Sequence, residues 1–247
     1  MEIFRKMSFA DSTGDAIPFY HEGKYHIFSL TSPPGTTVYP ERLRTTWSHS
    51  ISDDLVHWQE LPTALYPGEG DEPDASGVWT GSVIYGEGQY HAFYTGYCLT
   101  AEFQQTICHA TSDDGITWTK DIANPVITPM TELYEKLDWR DPYVFYNEED
   151  ENYWILISAR RLDMPVTRRG CIVLYRSKNL KDWTYYGPIY SPGHTNCPEC
   201  PEMYKMGGHW YLSYSRFSEF VNTIYRVSES PFGPWRKPKK DGIGGRR

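Results

Sequence analysis

Cysteine is scarce in this 247-residue chain, and the five that occur are an odd number spread thinly along it. Such usage does not describe a disulfide framework, so reduced thiols are expected. No apolar run approaches the roughly 18 to 20 residues of a membrane span, and residues 1–12 lack the apolar core of a secretory signal. We therefore expect no membrane partner and a cytoplasmic location.

Positive charge is also in deficit, because 24 Lys and Arg stand against 32 Asp and Glu, a formal net charge of −8. This balance does not favour long-range attraction to phosphate backbones, so no nucleic acid partner is expected. The sequence also has no glycine-rich phosphate loop opening a helix and no serine nucleophile elbow. Phosphoryl transfer and serine hydrolysis are thereby disfavoured, and a neutral polar ligand fits better.

Aromatic residues, by contrast, make up 16% of the chain, with 20 Tyr and 9 Trp, although the mean hydropathy is −0.59. They recur in an internal repeat. A Ser, a few mostly polar residues and a Trp occur in four copies, at residues 52–58, 112–118, 177–183 and 228–235. Two short aromatic strands flanking a turn precede each copy, at residues 19–28, 84–93, 145–154 and 203–210. Gly or Asn in these turns predicts β-hairpins.

This repeat predicts an all-β fold, a β-propeller of four-stranded antiparallel blades within a single domain spanning residues 1–247. Four blades are expected, at about residues 14–66, 78–128, 139–191 and 197–240. A β-sandwich with accidental repeats is the alternative architecture.

Three carboxylates occupy matching places in these blades. When the blades are aligned on the Tyr that starts each hairpin turn, an acid lies five residues before that Tyr in three of them. These acids are Asp15, Asp141 and Glu199. Because the first strand of every propeller blade lines the central axis, we expect the three to converge. Like charges brought together shift their pKa values apart, which allows one carboxylate to act as nucleophile and another to hold a proton for a leaving group. Solvent-exposed turn acids, or oxygen ligands for Ca²⁺, are the alternatives.

Other side chains are candidates for binding. Arg140 directly precedes an acid. It could keep that acid ionised or bind a sugar hydroxyl, and a purely structural salt bridge is the alternative. Trp47 and Trp79 lie near the axial ends of the first two blades, where each would stack on a sugar ring or pack in the core. Cys197 and Cys200 have a spacing found in redox and zinc sites, but the second ligand pair or the βαβ unit that such sites need is missing. We expect no metal, and we expect Cys200 to be a small buried residue beside the acid.

The sequence around the acids resembles glycoside hydrolase family 32, the β-fructosidases, within a clan of five-bladed furanosidases. The resemblance runs from about Gly14 to Arg247 and rests on Arg140-Asp141-Pro142, on Glu199-Cys200-Pro201-Glu202-Met203-Tyr204 and on residues 47–58. It implies a retaining mechanism without a cofactor. In that mechanism Asp15 is the nucleophile, Glu199 is the acid/base, and Asp141 binds sugar hydroxyls and stabilises the transition state.

Three segments depart from the family pattern. Gly14-Asp15-Ala16-Ile17-Pro18 stands where the family usually has Asn-Asp-Pro-Asn-Gly, and Phe28-Ser29-Leu30 stands where Phe-Tyr-Gln is common. Trp79-Thr80-Gly81-Ser82 resembles Phe-Ser-Gly-Ser, which adds Ser82 to the candidate sugar contacts. The acids match the family pattern while their neighbours differ, so the resemblance does not specify which sugar is bound.

We therefore expect a retaining glycoside hydrolase that acts on a furanoside or a fructosyl-containing oligosaccharide. An arabinan- or xylan-active five-bladed hydrolase and a non-catalytic carbohydrate-binding propeller are the alternatives. Residues 241–247 resemble the approach to a fifth blade, which the chain is expected to lack. Uncovered blade edges would then favour a homo-oligomer.

Overall fold

The computed structural model of the chain describes residues 13–36, 38–216 and 222–243. These residues form sixteen β-strands and two short 3₁₀ helices, Glu41–Leu43 and Val166–Arg168. The strands make four antiparallel sheets of four strands each, and sequence neighbours are sheet neighbours throughout. No helix in the described residues is long and apolar enough to cross a membrane.

The four sheets follow one another along the chain. The first contains β1 (Thr13–His21), β2 (Lys24–Thr31), β3 (Thr46–Ser52) and β4 (Gln59–Leu65). The second contains β5 (Gly77–Gly86), β6 (Gln89–Tyr97), β7 (Gln105–Ser112) and β8 (Thr119–Lys120). The third contains β9 (Tyr134–Asn147), β10 (Asn152–Arg161), β11 (Gly170–Ser177) and β12 (Thr184–Tyr190). The fourth contains β13 (Glu199–Met206), β14 (His209–Ser215), β15 (Thr223–Ser228) and β16 (Gly242–Ile243).

The chain divides into two compact units, an N-terminal unit of residues 1–128 and a C-terminal unit of residues 129–247. Each unit holds two of the sheets. The predicted all-β class with four-stranded antiparallel sheets is confirmed, whereas the single domain with its blade boundaries stays a prediction.

The predicted hairpins join the first two strands of every sheet. Three of them use two-residue turns, Glu22-Gly23, Glu87-Gly88 and Gly207-Gly208, in which both residues have positive φ. Positive φ at both central positions defines a type I′ turn, whose twist matches that of the flanking strands. The third sheet instead spans four residues between the paired Asn147 and Asn152.

The repeated Ser begins a turn between the third and fourth strands. In the first copy Asp54 Oδ1 accepts hydrogen bonds from the backbone N–H groups of Val56, at 2.9 Å, and His57, at 2.8 Å. Asp114 makes the matching bonds in the second copy and Asn179 in the third. Backbone N–H donors thereby lower the pKa of Asp114 to about 2. These bonds satisfy backbone groups that no strand pairs, which explains why the motif recurs.

Each unit has its own hydrophobic core. That of the N-terminal unit lies between its two sheets and includes Ile17, Phe28, Trp47, Leu65, Val78, Val83 and Tyr94. That of the C-terminal unit includes Trp154, Leu156, Ile172, Leu174, Met203, Trp210, Leu212 and Tyr214. Burying each large apolar side chain contributes about 1.5 to 3 kcal/mol, so these rings and branched chains fix the strands that carry the candidate site.

Candidate active site

An extra residue interrupts the first strand of every sheet. In β1, Thr13 pairs with Thr31 and Ala16 pairs with Ser29, so three steps on β1 oppose two on β2. The same offset occurs between Val78 and Gly81 in β5, between Arg140 and Tyr143 in β9, and between Glu199 and Glu202 in β13. Such β-bulges bend a strand and redirect side chains, and they are frequent beside active sites.

Every predicted acid lies in or beside one of these bulges. Asp15 lies within the bulge of β1, Asp141 within that of β9, and Glu199 is the last paired residue before that of β13. Asp141 has a φ of 56° and Cys200 a φ of 48°, a left-handed conformation that non-glycine residues rarely adopt. In both cases the next residue is a proline, which has no N–H to leave unpaired in a bulge.

Arg140 joins the two acids of the C-terminal unit. Its Nη2 donates to Glu199 Oε1 at 2.9 Å, and its Nε lies 3.7 Å from Asp141 Oδ2. A third carboxylate, Asp138, accepts a hydrogen bond from Nη1 of the same guanidinium. The side chains of Arg140 and Asp141 are 13% and 7% exposed, so these charges interact largely out of water. One positive charge is therefore shared by three carboxylates.

A backbone contact also fixes Asp141. The N–H of Cys200 donates to Asp141 Oδ2 at 2.9 Å. Burial by itself lowers the pKa of the Arg140 guanidinium, but the charges of Asp141 and Asp138 outweigh burial and hold that pKa well above its ordinary value. Arg140 is thus permanently charged. The sequence suggested Cys200 only as a small buried neighbour, whereas the structure leaves its side chain partly exposed and uses its backbone as a donor.

Further ion pairs hold Asp138, one of the carboxylates that contact Arg140. Asp138 Oδ2 also accepts a hydrogen bond from Arg160 Nη1 at 3.0 Å, and Arg160 in turn pairs with Glu135 at 2.8 Å. Burial raises the pKa of Asp138, but Arg140 and Arg160 outweigh it, so the pKa lies below its usual value. The sequence analysis missed this network. Its only signal was the presence of two more acids shortly before the Arg-Asp-Pro run.

In the N-terminal unit Asp15 is exposed, and its Oδ2 accepts a hydrogen bond from the Thr80 hydroxyl. Thr80 stands five residues before Tyr85, the same place in the second sheet that Asp15 occupies in the first. Within this unit, matching positions of successive sheets therefore meet. The contacts around Arg140 show the same for Asp141 and Glu199 in the C-terminal unit.

The predicted aromatic contacts have different environments. Trp47 has no exposed surface, packs against Phe28 and Tyr94, and donates from Nε1 to the Trp79 carbonyl at 2.9 Å. Trp47 is therefore a core residue, the second of the two roles that the sequence left open. Trp79 is partly buried and stacks on Tyr97 with ring centroids 4.1 Å apart. Ser82 is buried, with 6% of its surface exposed.

The first thiol of the cysteine pair is buried. Burial raises the pKa of the Cys197 thiol well above its ordinary value, so it stays protonated and is a poor nucleophile and metal ligand. None of the five cysteines, all of which the structure describes, forms a disulfide. Among the described residues no group of three or more His, Cys, Asp or Glu could hold a metal ion, so the calcium alternative finds no ligand cluster there.

Four-stranded antiparallel sheets whose first strands carry the acids fit the propeller-type glycoside hydrolases, and comparison with known proteins supports that class. The model of the glycosyl hydrolases family 32 N-terminal domain matches residues 15–233. The chain belongs to this family. The span includes all three predicted acids and Arg140.

Curated relatives and solved structures agree with the family. The chain is 33% identical to a levanase from Bacillus subtilis over 76% of its own length and 26% of the relative's. It is 32% identical to a raffinose invertase from Escherichia coli, over 78% of this chain and 39% of that protein. The structure of fructan 1-exohydrolase IIa from Cichorium intybus superposes with a TM-score of 0.75 at 25% identity, covering 92% of this chain and 44% of that one. The predicted β-propeller class is confirmed. The chain spans about a quarter to a half of the length of the curated relatives it matches.

Proposed function

We propose that the protein is a retaining glycoside hydrolase that cleaves β-fructofuranosides. The observation that carries the proposal is the position of Arg140 between two family acids, bonded to Glu199 and in contact with Asp141. A surface salt bridge would need only one carboxylate, whereas here one guanidinium holds two carboxylates from different sheets beside each other. The fructosyl substrate class follows from relatives that are named levanase, raffinose invertase and β-fructofuranosidase.

Asp15 has the properties of a nucleophile. Its carboxylate is exposed, and the Thr80 hydroxyl fixes Oδ2. In the proposed reaction an Asp15 oxygen attacks the anomeric carbon while the bond from that carbon to the leaving-group oxygen breaks. A covalent fructosyl-enzyme ester forms. The leaving oxygen keeps the electron pair of the broken bond and takes up a proton.

Glu199 supplies that proton. It later takes a proton from the water whose oxygen attacks the anomeric carbon, and the bond to Asp15 breaks with its electron pair left on the Asp15 carboxylate. Its side chain is 24% exposed, so it is accessible to a substrate oxygen and to solvent. Arg140 Nη2 donates to Glu199 Oε1, and the charged carboxylate is the form that activates water in the second half of the reaction. Arg140 also contacts Asp141, so its positive charge is shared between the two carboxylates.

Asp141 acts as a fixed acceptor for sugar hydroxyls. The Cys200 N–H donates to its Oδ2 at 2.9 Å, and Arg140 Nε lies 3.7 Å from the same oxygen. This hydrogen bond and ion pair hold the carboxylate in place. Its oxygens are thereby preorganised for hydroxyls whose hydrogen bonds strengthen in the transition state.

The test is hydrolysis of sucrose and 1-kestose by Asp15→Asn and Glu199→Gln. Each variant should lose at least about 100-fold in kcat/KM, because each removes a group that moves a proton or forms a bond. Glu148→Gln is the matched control, since Glu148 is exposed and lies in the hairpin turn between Asn147 and Asn152, outside the candidate site. It should stay within about threefold of wild type, with unchanged circular dichroism in all three. An Asp15→Asn variant with the wild-type rate would overturn the proposal, as would a wild-type protein that binds these sugars without cleaving them.

A cytoplasmic location and a homo-oligomer formed through sheet edges stay predictions. Sedimentation velocity across a range of concentrations tests the second, because association through edges raises the sedimentation coefficient with concentration.

A further inference from the structure

Asp138 is not one of the reacting groups, but it shares a cation with one of them. Arg140 Nη1 donates to Asp138 Oδ1, while Nη2 of the same guanidinium donates to Glu199 Oε1 at 2.9 Å. The two carboxyl groups are therefore bound to neighbouring nitrogens of one planar group. None of the roles assigned above uses Asp138.

The second oxygen of Asp138 is held as well. Arg160 Nη1 donates to Asp138 Oδ2 at 3.0 Å and lies 2.8 Å from Glu135 Oε2. Glu135 in turn pairs with Arg169, whose Nε donates to the Met164 carbonyl at 2.7 Å. The side chains of Asp138 and Arg160 are 20% and 14% exposed, so their charges interact mostly out of water. Asp138 therefore has a fixed position between two guanidiniums.

Asp138 is negatively charged at neutral pH. Burial raises its pKa, but Arg140 and Arg160 outweigh burial and hold that pKa below its usual value. A carboxylate bound to one nitrogen of a guanidinium offsets part of the positive charge that the other nitrogens present to their partners. Glu199 therefore faces less positive charge than Arg140 would place beside it without Asp138.

Other titratable groups also adjoin the acid/base. From β9, Asp141 Oδ2 lies 3.7 Å from Arg140 Nε and takes a share of its charge, whereas Lys136 of the same strand is exposed. Before β13, burial raises the pKa of the Cys197 thiol well above its ordinary value and keeps it uncharged. Farther along β13, Glu202 accepts a hydrogen bond from a serine of β14. Neither the thiol nor Glu202 can therefore take the place of Asp138 at the guanidinium.

The charge of Arg140 opposes the first step of the proposed reaction. A neighbouring guanidinium favours loss of the proton from a carboxyl group, whereas a general acid must keep its proton until the leaving oxygen takes it. A second carboxylate bound to the guanidinium reduces this conflict without touching the substrate. Asp138 has both the position and the charge for that role.

We propose that Asp138 is a positioning residue that keeps Glu199 protonated by offsetting the charge of Arg140. Arg160 limits this effect, because it draws part of the negative charge of Asp138 to itself. The inference rests on the function proposed above and deepens it, since it assigns two residues that set the pH range of catalysis without contacting the substrate. The two residues act in opposite directions. Glu199 should lose its proton at lower pH without the charge of Asp138, and at higher pH without that of Arg160.

The dependence of kcat/KM for sucrose on pH tests this in Asp138→Asn and Arg160→Met. At alkaline pH kcat/KM falls as the acid of the free enzyme loses its proton. This alkaline limb should move to lower pH by about one unit in Asp138→Asn and to higher pH by about half a unit in Arg160→Met. Asp138→Glu keeps the charge and should retain the wild-type limb. Asp163→Asn is the control, because Asp163 pairs with Arg161 and is 64% exposed, and it should leave the limb unchanged.

A purely structural role would lower rates or Tm in both variants and would leave both limbs in place or move them in the same direction. Either result would overturn the inference. Each variant tests the inference by itself, so the direction of the limb in Arg160→Met decides it if Asp138→Asn does not fold.

A second readout does not need turnover. Carbon NMR of labelled glutamate carboxyl groups follows the titration of Glu199, whose signal is assigned by its loss in Glu199→Gln. The midpoint should move down in Asp138→Asn and up in Arg160→Met. If the wild type cleaves sucrose but the midpoint does not move, the positioning role fails while the proposed function stands. If the wild type cleaves no sugar but the midpoint moves as expected, the charge coupling is supported while the proposed catalysis fails.

Discussion

Replacing Arg140 by methionine tests the charge arrangement of the C-terminal unit. The change removes one positive charge and two hydrogen bonds, and it leaves Asp138, Asp141 and Glu199 close together without a shared cation. Removing one partner of a fully buried ion pair costs about 3 to 5 kcal/mol. Because the three carboxylate side chains are 20%, 7% and 24% exposed, solvent screens part of this cost, and we expect a loss of about 2 to 4 kcal/mol.

Urea unfolding followed by tryptophan fluorescence measures the loss, and a thermal melt should show Tm lower by about 4 to 16 °C. Arg168→Met is the control, because Arg168 is exposed and no hydrogen bond or ion pair involves its side chain among the described contacts. It should stay within about 0.5 kcal/mol of wild type.

The loss should also depend on pH. Burial raises the pKa of Asp138, but Arg140, followed by Arg160, outweighs it, so the folded-state pKa lies below the ordinary 3.8. A carboxyl with a lowered pKa stabilises the fold above its unfolded-state pKa, and this contribution fades as the pH falls through the folded-state pKa. The difference between wild type and Arg140→Met should therefore be full at pH 7 and smaller at about pH 3. A difference under about 0.5 kcal/mol at pH 7, or one that is equal at both pH values, would refute the reasoning.

Two further predictions concern the N-terminal unit. Burial, and then a neighbouring histidine, lowers the pKa of His49 from 6.5 to about 3, so protonation opposes folding and stability should fall by up to about 1.4 kcal/mol per pH unit below pH 6. His49→Gln should flatten the dependence of unfolding free energy on pH, and an unchanged slope in this variant would contradict the reasoning. A Cβ on Gly81 would clash with the Phe93 carbonyl oxygen, so Gly81→Ala should lower the unfolding free energy by about 1 to 3 kcal/mol or more. Gly14→Ala, whose Cβ would meet its nearest atom at 3.5 Å, should be nearly neutral in the same urea titration, and equal effects of the two alanines would contradict the steric argument.

Local sequence signals predicted the repeated parts of the fold well. Glu22-Gly23 and Gly207-Gly208 specify type I′ turns by themselves, because positive φ is easy for Gly. The Ser and Asp of residues 52–58 satisfy their own turn through hydrogen bonds that span only two or three residues. Each of these features needs no distant partner, so the sequence alone predicts it.

The bulges and the ion-pair network were not predictable in the same way. A bulge is a mismatch between two strands, and the offset after Thr13 becomes visible only when β2 is placed beside β1. The bond from Arg140 to Glu199 likewise joins residues 59 positions apart. The interior position of Trp47 depends on rings packed from two sheets, and strand alternation alone does not select between a core and a ligand-facing role.

The central claim is a double displacement through a fructosyl ester of Asp15, and the stereochemistry of the first product tests it most directly. Cleavage of a β-fructofuranoside in aqueous methanol, followed by proton NMR, reports the configuration of the methyl fructofuranoside before it can equilibrate. Two successive displacements predict the β-anomer. The α-anomer would show a single displacement by solvent and would contradict the roles given to Asp15 and Glu199.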